Sequence, residues 1–144
     1  MKQYIGTKII HAEPSASTSD NPDIGTPGYK VVYADGYTSW SPKDVFEDAY
    51  RPCDAMTFGL AVEALKKGSK VRRAGWNGKG MFLYYVPANA YPASRNEHGT
   101  MLGVFEGDMV PYGAYIAMKT AQNNVVPWLA SQTDVLAEDW EIAE

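Results

Sequence analysis

The chain has 144 residues, 45% hydrophobic and 21% charged, enough apolar side chain for a core and too ordinary a charge content for bulk disorder. Its net charge of −4 argues against a binder of duplex DNA or RNA, which needs a basic face to displace counterions, but permits a small anionic ligand held by a few local donors. The single cysteine, Cys53, excludes an internal disulfide framework and a multi-cysteine metal site.

In chain order, the opening Met1-Lys2-Gln3-Tyr4-Ile5-Gly6 lacks the apolar stretch of a secretory leader. With no long apolar run further on, a soluble, cytoplasmic protein is expected. Residues 4–13 read as a strand, and the small, polar, proline-bounded residues 14–22 as a mobile loop. Residues 29–33 and 37–40 flank Ala34-Asp35-Gly36, which predicts a hairpin on an Asp-Gly turn. Ser41-Pro42-Lys43-Asp44 then predicts a helix start: Ser41 as the cap, Pro42 in the first helical position, and Asp44 at the positive end of the dipole. That helix ends near Tyr50, and Arg51-Pro52-Cys53-Asp54-Ala55 reads as a linker.

A second helix starts at Thr57. Phe58, Ala61, Val62 and Leu65 form its apolar stripe, Glu63 and Lys67 an i, i+4 ion pair, and Gly68 its end. Residues 70–74 and 81–86 read as strands around the glycine-rich turn 75–80. Residues 115–121 and 125–130 form a hairpin around Gln122-Asn123-Asn124. Pro127 cannot donate to a ladder, so its strand is at an edge or bulged. Ser131 or Thr133 caps a short helical turn, and residues 140–143 close as a strand. Residues 87–114 show little regular pattern, a length of chain often functional in a compact domain; 101–105 could be one further strand inside it. The fold class is therefore α+β: a small β-hairpin–helix module over residues 1–52, then a helix-plus-antiparallel-sheet core over 56–144.

The chemistry is concentrated in two clusters, Arg72-Arg73-Ala74-Gly75-Trp76-Asn77-Gly78-Lys79-Gly80 and Val126-Pro127-Trp128-Leu129-Ala130-Ser131-Gln132-Thr133-Asp134. Neither histidine, His11 or His98, has metal-ligand neighbours, Cys53 has no evident partner base, and no nucleophile elbow, Walker loop or dinucleotide fingerprint is present. No catalytic residue, metal or cofactor is expected. Trp76, in a turn and unneeded by a core, either folds back over its hairpin or offers a face on which a base stacks, with Asn77 able to read the base edge. Ser131 and Asp134 fit a capping box, and the same helix start could receive an anion. Arg72 and Arg73 alternate across their strand, so at most one faces a given pocket and the other is a solvated charge.

Met56-Thr57-Phe58-Gly59-Leu60-Ala61-Val62-Glu63-Ala64-Leu65-Lys66-Lys67-Gly68, the Val71 to Leu83 stretch, Tyr115-Ile116-Ala117-Met118-Lys119-Thr120, and the second cluster through to Trp140 together resemble the second family of phage Thoeris anti-defence proteins, over about residues 56–143. The resemblance implies a non-enzymatic sponge acting in the cytoplasm of an infected bacterium. Such a protein sequesters the cyclic ADP-ribose-type signal of a TIR-domain defence enzyme, and some relatives also take cyclic di- or trinucleotides. It implies a homotetramer with ligand sites between subunits, and neither a nucleic acid polymer nor a membrane as partner. It also implies base stacking on Trp76 and polar contacts from the 128–134 segment. The expected ligand-binding set is thus Arg73, Trp76, Asn77, Phe82, Trp128, Ser131, Gln132, Thr133 and Asp134. The first fifty residues look like a small module found ahead of various phage domains, a likeness that implies no activity. Read from residues alone, a nucleotide-modifying enzyme and a ligand-free phage structural or interaction protein stay open as alternatives.

Overall fold

The computed structural model describes residues 1–18, 24–76, 79–94 and 101–144, and the chain divides into two compact units, Met1–Pro52 and Cys53–Glu144. The architecture is α+β, with antiparallel sheets in both units.

In the first unit, β1 (His11–Ala16), β2 (Pro27–Val32) and β3 (Thr38–Pro42) form a sheet in the order β1-β2-β3. The Asp-Gly turn forms as expected: Gly36 takes φ +87°, and the Tyr37 N–H donates to the Asp35 carboxylate at 2.9 Å. Helix α1 (Lys43–Ala49) is held on β2 by rings, because Tyr29 stacks on Phe46 at 4.2 Å and Phe46 on Tyr50 at 5.0 Å. Val31, beside Tyr29 on that strand, is buried. Alternation puts Gly28 and Lys30 on the opposite face with Trp40, the register partner of Lys30. The Trp40 indole lies over Gly28 and donates to the Ser15 carbonyl at 2.9 Å.

Several expectations change here. The first strand starts at His11 rather than residue 4, and it absorbs Pro14, Ser15 and Ala16 from the predicted loop. An edge strand paired only with β2 tolerates a proline, whose missing N–H faces no partner. Residues 19–22 of that loop lie outside the described residues. Ser41 does not cap α1: it stays in β3 opposite Tyr29, and Pro42 is the residue before the helix, with no side-chain cap.

The second unit is a five-stranded sheet in the order β10-β4-β5-β8-β9. Its strands are β4 (Lys70–Arg73), β5 (Phe82–Val86), β8 (Tyr115–Lys119), β9 (Val125–Pro127) and β10 (Trp140–Ala143). Helix α2 (Phe58–Lys66) is capped by Thr57, whose hydroxyl accepts from the Leu60 N–H. It lays Ala61, Ala64 and Leu65 against Val71, Leu83 and Trp140. Pro127 lies, as expected, in an edge strand, since β9 ends the sheet. Glu63 pairs with Lys66 at 4.0 Å and not with Lys67, which has left the last turn as the C-cap. The predicted strand at 101–105 is a run of turns closed by the Gly103 N–H on the Asp108 carboxylate at 2.8 Å. The long patternless segment instead contributes β6 (Asn89–Pro92) and β7 (Met109–Tyr112), which pair with each other. Among the described residues no helix is long and apolar enough to cross a membrane.

A Cβ on Gly28 would overlap the Trp40 ring and the Ser41 carbonyl, whereas one on Gly6 would meet open space. Gly28→Ala is expected to cost roughly 1–3 kcal/mol of stability by overpacking, and Gly6→Ala next to nothing. Urea denaturation of the two variants, followed by tryptophan fluorescence, checks the contrast.

Candidate functional site

The two clusters that carry chemistry in the sequence meet in space. Trp140 sits fully buried on β10, and three other rings pack around it. Trp76 stands edge-on at 5.6 Å, Trp128 edge-on at 5.9 Å, and Phe58 tilted at 5.5 Å; Trp76 and Trp128 also touch each other at 6.5 Å. Trp76 and Trp128 are each only partly buried. Both readings of Trp76, a ring folded back and a stacking face, stay open, but the core does use it: one side of the ring packs against Trp140.

A polar brace runs parallel to the rings. Arg73, the register partner of Trp140, donates through Nε to Asp139 at 2.9 Å and through Nη1 to Asp134 at 3.0 Å. Asp134 belongs to α3 (Gln132–Val135) and completes a capping box with Ser131. The Ser131 N–H and hydroxyl donate to Asp134 Oδ2 at 3.1 and 2.7 Å, and the Asp134 N–H donates back to Ser131 Oγ at 3.1 Å. The Thr133 hydroxyl is 2.9 Å from that of Ser131. The backbone carbonyl of Asp134 accepts the Trp140 indole N–H at 2.9 Å, which ties the brace to the rings. Burial by itself would raise the Asp134 carboxyl, but the bonds from Ser131 and then from Arg73 hold it below the usual carboxylate range. The bonds to Asp139 and then Asp134 keep the Arg73 guanidinium more firmly protonated.

The structure thus gathers Arg73, Trp76, Trp128, Ser131, Thr133 and Asp134. Gln132 is exposed on the same short helix. Phe82 is not with them: its neighbour Leu83 is buried under α2, so alternation turns Phe82 to the opposite face of the sheet, beside Tyr84 and under the Lys70 ammonium. Asn77 and His98 lie outside the described residues. The expectation that at most one of the two arginines faces a given pocket fails: Arg72, half-exposed and paired with Glu141 at 2.6 Å, and Arg73 both line one cleft of about 70 Å³ next to Trp76. Ala74, Lys79, Gly80, Met81 and Glu141 complete that cleft. Sequence reading missed Asp139 and Glu141. Their alternation beside two consecutive arginines was a signal, but it becomes legible only once β4 and β10 are known to pair. Among the described residues, no three His, Cys, Asp or Glu side chains gather as a metal site.

Comparison with known proteins agrees with this geography. Residues 56–143, a span that begins at Met56 and includes every element of the five-stranded sheet, match the family described as the Thoeris anti-defense 2-like domain. Over 87 residues the chain is 46% identical to Thoeris anti-defense 2 of Bacillus phage SP01, an alignment that covers 60% of this chain and 93% of the relative.

The brace predicts a graded response. Ser131→Ala, which loses a cap, is expected to cost about 1 kcal/mol. Asp134→Ala loses the capping box and one of the two carboxylate partners of Arg73, with Asp139 remaining, and is expected to cost roughly 1–3 kcal/mol, less than the loss of a partner from a fully buried pair. Because the folded Asp134 titrates below its unfolded value, its contribution is complete above about pH 4 and is lost as pH falls through the depressed value. The stability gap between wild type and Asp134→Ala, measured by urea denaturation, should therefore be level from neutral pH to about pH 5 and shrink below about pH 4.

Proposed function

The chain belongs to the Thoeris anti-defense 2-like family, a phage anti-defence family, and we propose that it acts by binding a cyclic ADP-ribose-type immune signal and holding it uncleaved. The observation that carries this reading is the pair of partly exposed tryptophans, Trp76 and Trp128, fixed by Trp140 and the Arg73–Asp134 brace inside the family-matched segment. Indole faces held in advance lose little freedom when a base stacks on them, and stacking of this kind is worth about 1–3 kcal/mol per base. The carboxylates near the rings are committed to Arg73 and Ser131, an arrangement suited to a rigid wall rather than to proton transfer.

The cleft beside Trp76, at about 70 Å³, holds a fraction of a nucleotide-sized ligand, for which pockets run from about 300 Å³ upward. In the proposed assembly, a homotetramer as the family resemblance implies, a neighbouring subunit supplies the rest of each site. The protein would work in the cytoplasm of the infected bacterium, where the signal is made. Cyclic di- or trinucleotides are further ligands of the same chemistry.

Titration calorimetry with cyclic ADP-ribose isomers, followed by heat release and mass spectrometry, tests the reading. Recovery of unaltered ligand in stoichiometric amount is expected. Recovery of a cleaved product would make the protein an enzyme, and no binding to any cyclic nucleotide would leave it a structural or interaction protein. Trp76→Ala is expected to weaken binding at least about tenfold, equivalent to roughly 1.4 kcal/mol, with the assembly state by light scattering unchanged.

A further inference from the structure

Resting on the sequestration reading, we infer that Lys79 and Lys119 form the subsite for the ligand's phosphate groups, on the side of the sheet away from α2. Three observations place them together. Lys119 is the register partner of Phe82, so both side chains stand on the face opposite the core. The Lys119 ammonium donates to the carbonyl of Gly80 at 3.2 Å, which brings it to the rim of the Trp76 cleft. Lys79, the residue before that carbonyl, lines the cleft directly and is exposed.

Charge accounting then singles out these two. Arg72 is matched by Glu141, and Arg73 by both Asp134 and Asp139, so two guanidinium charges meet three carboxylates and none is left over for a ligand. Among the described residues Lys79 and Lys119 have no carboxylate partner. In a chain of net charge −4, Lys79 in the cleft and Lys119 at its rim turn the local sum of these charges from −1 to +1, which draws an anion toward them. A doubly charged pyrophosphate linkage matches two point charges, each able to give a charge-assisted hydrogen bond. The chemical class recognised is a nucleotide whose bases or sugars meet Trp76 while its phosphates meet the lysines.

The test is calorimetric titration of the full chain with cyclic ADP-ribose, comparing wild type, Lys79→Gln, Lys119→Gln, their combination, Lys119→Arg, and Lys30→Gln as a control in the other unit. Each Lys→Gln change is expected to weaken binding about tenfold, the loss of one charge-assisted bond. Lys119→Arg should restore most of the affinity, and Lys30→Gln should change nothing. Wild-type affinity should fall as salt rises to ~0.5 M, and that dependence should flatten in the double variant. Wild-type binding with full affinity and unchanged salt dependence in the double variant would overturn the phosphate subsite and leave sequestration standing. Failure of wild type to bind would overturn both. If Lys119→Gln alters the fold by circular dichroism, Lys79→Gln together with Lys119→Arg still decides the matter.

Discussion

The burial of Trp140 is the constraint on which the second unit depends. Its side chain removes about 200 Å² from water, roughly 5 kcal/mol at ~25 cal/mol per Å², and it does so where three otherwise separate pieces of chain converge. Met56 pairs with it across an isolated bridge, Phe58 opens α2 against it, and Trp76 and Trp128 approach it edge-on. An indole in such a place must also satisfy its N–H. The acceptor is the Asp134 carbonyl, so burying one ring obliges α3 to sit at a fixed position. Once α3 is there, the Asp134 carboxylate can meet Arg73, which the β4–β10 register has put opposite Trp140. Ring packing, hydrogen bond and ion pair are thus successive consequences of one burial.

The two faces of the five-stranded sheet do different work. The covered face carries Val71, Leu83 and Trp140 under α2. The other face carries Phe82 and Tyr84 with Lys70, Arg72 and Lys119. Period-2 alternation produces this division automatically: each strand that buries a residue must turn its neighbours outward. Aromatic rings interleaved with cations on an outward face suit planar, anionic ligands better than water alone, and here they lie next to the turn that carries Trp76. The first unit is built on the same rule, with α1 on the Tyr29 and Val31 face and Trp40 on the other.

Local signals in the sequence were the legible ones. The Asp35-Gly36 turn, the Thr57 cap, the Ser131–Asp134 capping box, Pro127 in an edge strand and the closing strand from Trp140 each depend on residues within a few positions of one another. The α+β class followed from them. What could not be read depends on partners far along the chain. The pairing of β10 with β4 spans more than sixty residues, and only that pairing turns Asp139 and Glu141 into partners of Arg73 and Arg72. The same distance hid the second role of Trp76, which looks free in a turn because the ring that receives it, Trp140, is remote in sequence. Residues 89–92 and 109–112 show no strand pattern because their side chains are mostly exposed, which leaves no alternation to detect. Ser41 failed as a cap for the converse reason: a good local signal was overridden by its pairing in β3.

The central claim is that ligand meets Trp76 on a frame that Trp140 and Asp134 hold still. Indole N–H resonances report each tryptophan separately, so a titration of the labelled protein with cyclic ADP-ribose, followed by heteronuclear NMR, tests it directly. The account predicts that the Trp76 indole resonance moves with added ligand while that of Trp140, bonded to the Asp134 carbonyl, stays in place. An unmoved Trp76, or a Trp140 resonance that shifts with it as the core rearranges, would contradict the account.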